Sequence, residues 1–297
     1  MHRPVRPHPH RLVVVVCYTC STTTWIRSTV TAHDTAPSRS SERDAEDQRP
    51  PRRTRRRQSV GGALVSLLAE LLIIAGAGTG LYVAWTAWWT DVVAVNEQTK
   101  LVDDLGQQQA PKLEGSEHRG EAPVLAEPPD LTDVFGTMQI PRFGADYLRP
   151  IGEGTDRERV LNTIGLGHYQ DTAMPGAEGN FAVAGHRVTY GKPLNQIADL
   201  KPGDPIVVRV TDKAKDFDVW YVYKVTDSQI VTPDKIETIA PVPNQPGVTP
   251  TAEDRWLTLT ACHPMWSAKE RYVTHAKLDY WMPVSEGTPK ELSETPK

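Results

Sequence analysis

Cys262 closes the run Thr258-Leu259-Thr260-Ala261-Cys262, with Pro264 two residues on, and no other cysteine occurs after residue 20. A thiol at the end of a β-branched, apolar segment sits where a strand delivers a side chain to the rim of a cleft, and as its thiolate it is a strong nucleophile. Side chains alternate faces along a strand. Trp256, Thr258, Thr260 and Cys262 then share one face, and Leu257, Leu259 and Ala261 the other. The aliphatic set marks the core side, which leaves Cys262 beside two hydroxyls and an aromatic ring. An inert, buried cysteine fits the segment equally well.

A cysteine nucleophile needs a base or a cationic partner, because a free thiol with a pKa of about 8.5 is mostly protonated at neutral pH. Of nine histidines, His186 lies just past Asn180–Gly185, a β-like run whose end Gly185 marks, and so projects at a rim where loops build clefts. His168 in a Gly-rich loop, His263 beside the cysteine and His275 in mid-strand are its rivals. Successive strand residues point to opposite faces, which weakens His263. An oxyanion formed on an attacked carbonyl is best met by a fixed charge with planar donors. Arg271 opens the run after the loop 263–270 and returns beside Cys262 if the two strands are neighbours; a surface ion pair is the other fate open to it.

The elements that must hold these groups read as strands at Thr137–Ile140, Asn180–Ala184, Ile206–Val210, Val219–Val225, Trp256–Ala261 and Tyr272–Leu278, each rich in Val, Ile, Thr and aromatics. Weak helical stretches fall at Arg157–Thr163 and Pro193–Ile197. Residues 134–284 therefore read as one mostly β domain, a closed or strongly curved barrel.

Before it, charge and hydropathy divide the 297-residue chain sharply. Residues 1–58 carry twelve Arg against five Asp and Glu, a net of +7, so the overall −4 leaves −11 for the rest. From Val60 to Trp85 the only charge is Glu70. Some 20 residues at ~1.5 Å each cross a ~30 Å hydrocarbon layer. Arg52, Arg53, Arg55, Arg56 and Arg57 precede this block and Trp85, Trp88 and Trp89 end it. The positive-inside rule puts the N-terminus in the cytoplasm and the β domain outside. Residues 59–89 read as an uncleaved signal anchor, the apolar stretch being longer than the ~7–15 residues of a cleaved signal peptide. Glu70 is expected to reach headgroups or a partner helix. Residues 1–58 read as a disordered cytoplasmic tail, Cys17 and Cys20 included; 90–133 as a solvated spacer whose first part prolongs the helix; and 285–297 as a disordered tail.

Thr258–Cys262, Arg271 nine residues beyond the cysteine, and Asn180-Phe181-Ala182-Val183-Ala184-Gly185-His186-Arg187 together resemble the signature of sortases, the cysteine transpeptidases of Gram-positive cell walls. Leu166-Gly167-His168-Tyr169 and Leu200-Lys201-Pro202-Gly203-Asp204 extend the likeness, which covers about residues 134–284. Within the family the chain looks most like class E, the actinobacterial housekeeping type. It departs at Ala261, where that class usually has Thr; the alternation turns Ala261 away from the site. The resemblance implies an eight-stranded barrel with short helices after one transmembrane helix. It implies that Cys262 attacks the Thr carbonyl of a C-terminal Leu-Ala-X-Thr-Gly-like sorting signal on secreted proteins, His186 acts as imidazolium and general acid, and Arg271 holds the oxyanion or the substrate backbone. An amine of the peptidoglycan precursor then takes the acyl group, with no cofactor or metal. Tyr147 resembles a tyrosine tied to alanine preference, and Tyr147, His168, Thr258 and Thr260 are expected to contact substrate.

Two other classes stand beside this one. A wall-directed cysteine peptidase or L,D-transpeptidase would resemble a Ser-His-Gly-Cys type motif, whereas 76 positions separate His186 from Cys262. A non-enzymatic tethered barrel would leave Cys262 as a free extracytoplasmic thiol open to oxidation. Asp212, Asp216 and Asp218 read as a solvated hairpin turn, without zinc-ligand spacing. The basic N-terminus suits anionic lipid at the bilayer, not nucleic acid.

Overall fold

Alternating β-branched and aromatic residues form strands wherever each face has something to bury. In a computed structural model of the chain, which describes residues 60–106, 115–126 and 129–293, eight strands form. They are β1 (Val134–Gln139), β2 (Arg149–Glu153), β3 (Leu166–His168), β4 (Gly179–Gly185), β5 (Pro205–Asp212), β6 (Phe217–Val231), β7 (Arg255–His263) and β8 (Glu270–Pro283). They close into one barrel in the order β1-β2-β3-β4-β7-β8-β6-β5. The pairs β2/β3 and β4/β7 are parallel and the remainder antiparallel. Contacts separate Met1–Gly61 from Gly62–Lys297, and the second unit holds the barrel. Cys17, Cys20 and the basic segment lie outside the described residues.

Six of these strands fall on the runs the composition marks. The other two, β2 (RPIGE) and β3 (LGH), carry Gly or Pro and are short, so local propensity does not reveal them; pairing with β1 and β4 makes them strands. The expected helix at Arg157–Thr163 is a single π-type turn, Arg157–Leu161, capped by Asp156, whose carboxylate accepts from Arg159 N at 2.8 Å. At Pro193–Ile197 the chain turns, and a 3-10 turn occupies Ile197–Asp199.

Leu257, Leu259 and Ala261 of β7 face the barrel interior with Phe181 and Val183 of β4, all at most 3% exposed. Each Leu or Phe so buried contributes about 1.5–3 kcal/mol. A second apolar cluster, Val207, Trp220, Val222, Tyr280, Met282 and Val284, lies outside the core, with Leu292 packed on it. A sheet face this apolar must be covered, and the C-terminal segment covers it. Residues 285–297 are expected as a disordered tail, but 3-10 turns form at Val284–Glu286 and Lys290–Leu292. There the buried Glu291 accepts from Tyr280 Oη at 2.5 Å and Lys224 Nζ at 3.0 Å.

The spacer is likewise not wholly solvated. His118 exchanges two backbone hydrogen bonds of 2.9 Å with Trp281. Ala122 and Leu125 join the core, and Tyr221 Oη donates to Pro123 O at 2.7 Å. Helix α1 (Val60–Asp104) is the one described helix long and apolar enough to cross a membrane, with a mean hydropathy of 2.1 over its most apolar stretch. It runs beyond the tryptophans, as expected of the first part of the spacer.

His275, expected to be structural, is 1% exposed on β8. The Thr258 hydroxyl donates to Asn180 Oδ1 at 2.8 Å, so His275 Nδ1 donates to Thr258 at 3.0 Å while Nε2 accepts from Gln229 at 3.1 Å. The ring is therefore neutral, and burial holds its pKa below the ordinary 6.5, opposed by Asp227.

Two outcomes follow from this packing. Glu291→Ala strands the Tyr280 hydroxyl and should cost about 1–3 kcal/mol, read as a fall in Tm of about 2–4 °C per kcal/mol. Because His275 titrates lower when folded, the unfolded chain binds more protons below 6.5, so stability is lost as pH falls through that window. Melting between about pH 7 and pH 5 should show the slope, and His275→Gln should make it shallower, the depressed His186 supplying the remainder.

Candidate active site

The antiparallel register of β7 and β8 sets Cys262 directly opposite Arg271. Strand β4 runs parallel to β7 with Ala184 opposite Thr260, so both strands end on the same side of the barrel. His186, two residues past Ala184, thus leaves the barrel at the end where Cys262, two residues past Thr260, stands. Cys262, His186, Arg271 and Thr260 all line one cleft of about 550 Å³. Leu257, Leu259 and Ala261 belong to the core, and Ala261, at the strand end, also borders the cleft.

Cys262 is a half-buried free thiol. His186 is also half-buried. Burial pushes its imidazole below the ordinary value, the Arg157 charge lowers it further, and Glu158 opposes both. Its Nε2–H donates to Asn162 Oδ1 at 2.8 Å, and Asn162 Nδ2 donates on to Glu158 at 3.1 Å. That leaves Nδ1 as the nitrogen able to exchange a proton. Arg271 is steadied by its own loop, Nη1 donating to Ala268 O at 2.9 Å and Glu270 O at 3.0 Å. Among the described residues no carboxylate pairs with it, so its charge is not spent on a surface ion pair. A thiol, an imidazole and an unneutralised guanidinium lining one cleft can perform acyl transfer: attack, proton exchange and oxyanion stabilisation.

The rival histidines point elsewhere. His263 faces away from Cys262, and its Nδ1 accepts from Arg187 at 2.6 Å, which requires that nitrogen to be unprotonated. His168 lies on β3 rather than in a loop and is 2% exposed; its Nδ1 donates to Glu153 at 2.7 Å and its Nε2 meets Thr172 at 2.9 Å. Neither lines the cleft.

The expected substrate contacts divide accordingly. Thr260 lines the cleft, with the Tyr169 hydroxyl 3.0 Å away. His168 is bound into the barrel wall, and Thr258 is fully buried in the hydrogen bonds to Asn180 and His275; neither lines the cleft. Tyr147 donates to Pro193 O at 2.9 Å, and burial raises its hydroxyl well above the usual range. It lines a separate cavity of about 700 Å³ between α1 and the barrel, not the cleft of Cys262. Residues the sequence reading did not single out also line the cleft: Arg157, Tyr169 and Trp266, the last 75% exposed. Asn162 was missed as well; nothing local to it signals a histidine 24 positions away.

Comparison with known proteins points to one family. The sortase domain model matches residues 138–279. Sortase SrtE1 of Streptomyces coelicolor is 34% identical over 249 residues, 81% of this chain and 65% of that protein, so the chain spans slightly under two thirds of that relative. Sortase SrtE2 of the same organism is 31% identical over 238 residues, 75% of this chain and 85% of that protein. The solved SrtA sortase from Actinomyces oris superposes with a TM-score of 0.54 at 39% identity, covering 59% of this chain and 96% of that one. The chain belongs to the sortase family of cysteine transpeptidases, and its likeness to the two Streptomyces sortases E places it in class E.

Proposed function

We propose that this chain is a membrane-anchored transpeptidase that cuts a C-terminal Leu-Ala-X-Thr-Gly-like sorting signal of secreted proteins between Thr and Gly and passes the acyl group to an amine of the peptidoglycan precursor. The observation that carries this reading is the single cleft lined by Cys262, His186 and Arg271 from neighbouring strands.

His186 takes the proton of the Cys262 thiol, the thiolate so formed attacks the Thr carbonyl carbon, and the Arg271 guanidinium holds the resulting oxyanion. Collapse breaks the Thr–Gly bond; His186 gives its proton to the departing Gly amine and leaves a thioester on Cys262. The acceptor amine attacks that thioester, His186 takes up the amine proton, and the cysteine thiolate departs. The apolar surroundings, Ala184 and Leu161 among them, limit water and so favour an amine over hydrolysis.

Helix α1 supports anchoring in the topology of the positive-inside rule. Trp85, Trp88 and Trp89 cluster at the end of the apolar stretch, Trp85 and Trp89 stacked with centroids 5.1 Å apart, as suits an interfacial belt. A domain held there shares a thin layer with secreted substrate and lipid-linked acceptor, which raises their effective concentration.

The full chain in detergent, given fluorogenic Leu-Ala-X-Thr-Gly and Leu-Pro-X-Thr-Gly peptides with a small amine, should form an amine-dependent product with the alanine peptide preferred. Cys262→Ala should abolish it, and Arg271→Ala should lower kcat by about 10²–10³-fold, with Arg271→Lys restoring little. Turnover by Cys262→Ala, or of a wall stem peptide in place of the sorting signal, would sink the reading. The pH profile of kcat/KM should carry an acid limb below 6.5, because His186 is depressed. Removing a neighbouring cation favours the imidazolium, so Arg157→Gln should move that limb upward.

A further inference from the structure

The second half of α1 does not stand clear of the barrel. Ala94, Gln98 and Val102 are 4%, 2% and 4% exposed, a four-residue spacing that presents one helix face to the protein. Gln98 is its polar member, and its carboxamide enters a slot between two glycines. A Cβ at Gly165 would come within 2.8 Å of Gln98 Nε2, and one at Gly191 within 2.8 Å of Oε1. Gln98 Nε2 donates to Tyr190 O at 3.2 Å. Two turns earlier, Asp91 accepts from Gly191 N at 3.1 Å and pairs with Lys192 Nζ at 3.1 Å.

The two segments gripped in this way frame His186. Residues 162–165 begin with Asn162, the hydrogen-bond partner of the imidazole. Residues 187–192 carry Tyr190, whose ring centroid is 5.3 Å from that of His186. Thr189, Tyr190 and Lys192 have φ of 62°, 49° and 38°, the left-handed region that residues with a Cβ enter at a cost. Such backbone persists only where its surroundings hold it, and Asp91 and Gln98 supply that hold.

We propose that Gln98 is a positioning residue for the acid–base histidine, and that the membrane-proximal half of the anchor helix is part of the catalytic unit and not only a tether. This rests on the assignment of His186 to proton transfer. The titratable and charged groups around His186 are Arg157 and Glu158 from the π-type turn, Tyr190 from its own loop, and Tyr169, Cys262 and Arg271 across the cleft. Gln98 is uncharged, so its loss acts on the imidazole through geometry and access of water alone.

Carbethoxylation of His186 by diethyl pyrocarbonate, followed by peptide mass spectrometry from about pH 5 to pH 8 on the full chain in detergent, reads that imidazole without any substrate. Gln98→Ala should raise the His186 midpoint toward 6.5. In the peptide assay it should lower kcat by about 10–100-fold with KM within about twofold. Gln98→Met fills the slot without a donor or a charge; it should shift His186 in the same direction, and it decides the matter if Gln98→Ala does not fold. An unchanged His186 midpoint in a folded variant would overturn the proposal whatever the peptide assay gives. A shifted midpoint in a protein that does not turn over sorting-signal peptides would retain the positioning and remove the proposed reaction instead.

Discussion

The parallel ladder between β4 and β7, with Phe181 opposite Leu257 and Ala184 opposite Thr260, is the constraint on which the site depends. Two parallel strands end on the same side, so the residues just past each are delivered to a common rim. Here they are His186 and Cys262, with Arg271 supplied by the antiparallel return of β8. The inward Phe181, Val183, Leu257 and Leu259 hold the register, because a slip of one residue would turn Cys262 into the core and these apolar side chains out of it. The packing of an apolar interior thereby fixes where a thiol and an imidazole meet.

Around that frame, hydrogen bonds assign each histidine a different task. His263 accepts from Arg187 and does not line the cleft, and both nitrogens of His275 are taken, by Thr258 and Gln229. His186 spends only Nε2, on Asn162, and keeps Nδ1. Its depressed pKa has burial as the main cause, with Arg157 adding to it. Among the described residues no carboxylate pairs with Arg271, which leaves its charge free to act on a developing oxyanion in the cleft.

The barrel is also not a free-standing unit. Ala122 and Leu125 complete its core from one side, and residues 284–293 cover the outer cluster around Trp220 and Tyr280 from another. Their composition reads as solvated because so few apolar residues do the work, and one buried carboxylate, Glu291, anchors the last turn through two hydrogen bonds. Helix α1 contributes in the same sparse way through Ala94, Gln98 and Val102.

By itself the sequence determined the long apolar segment, six of the strands, the inward and outward faces of β7, and the candidates Cys262, His186 and Arg271. These are legible because they depend on period-two patterning, run length and residue type, all local properties. Only the tertiary structure decided that β2 and β3 are strands, that His168 and Thr258 are wall residues and Tyr147 lines another cavity, and that Asn162, Arg157 and Tyr169 belong to the site. Each of these depends on a partner far along the chain: Glu153 for His168, Asn180 and His275 for Thr258, Pro193 for Tyr147, His186 for Asn162. A hydrogen bond between distant positions leaves no periodic trace, and closure of the barrel is what brings those positions together.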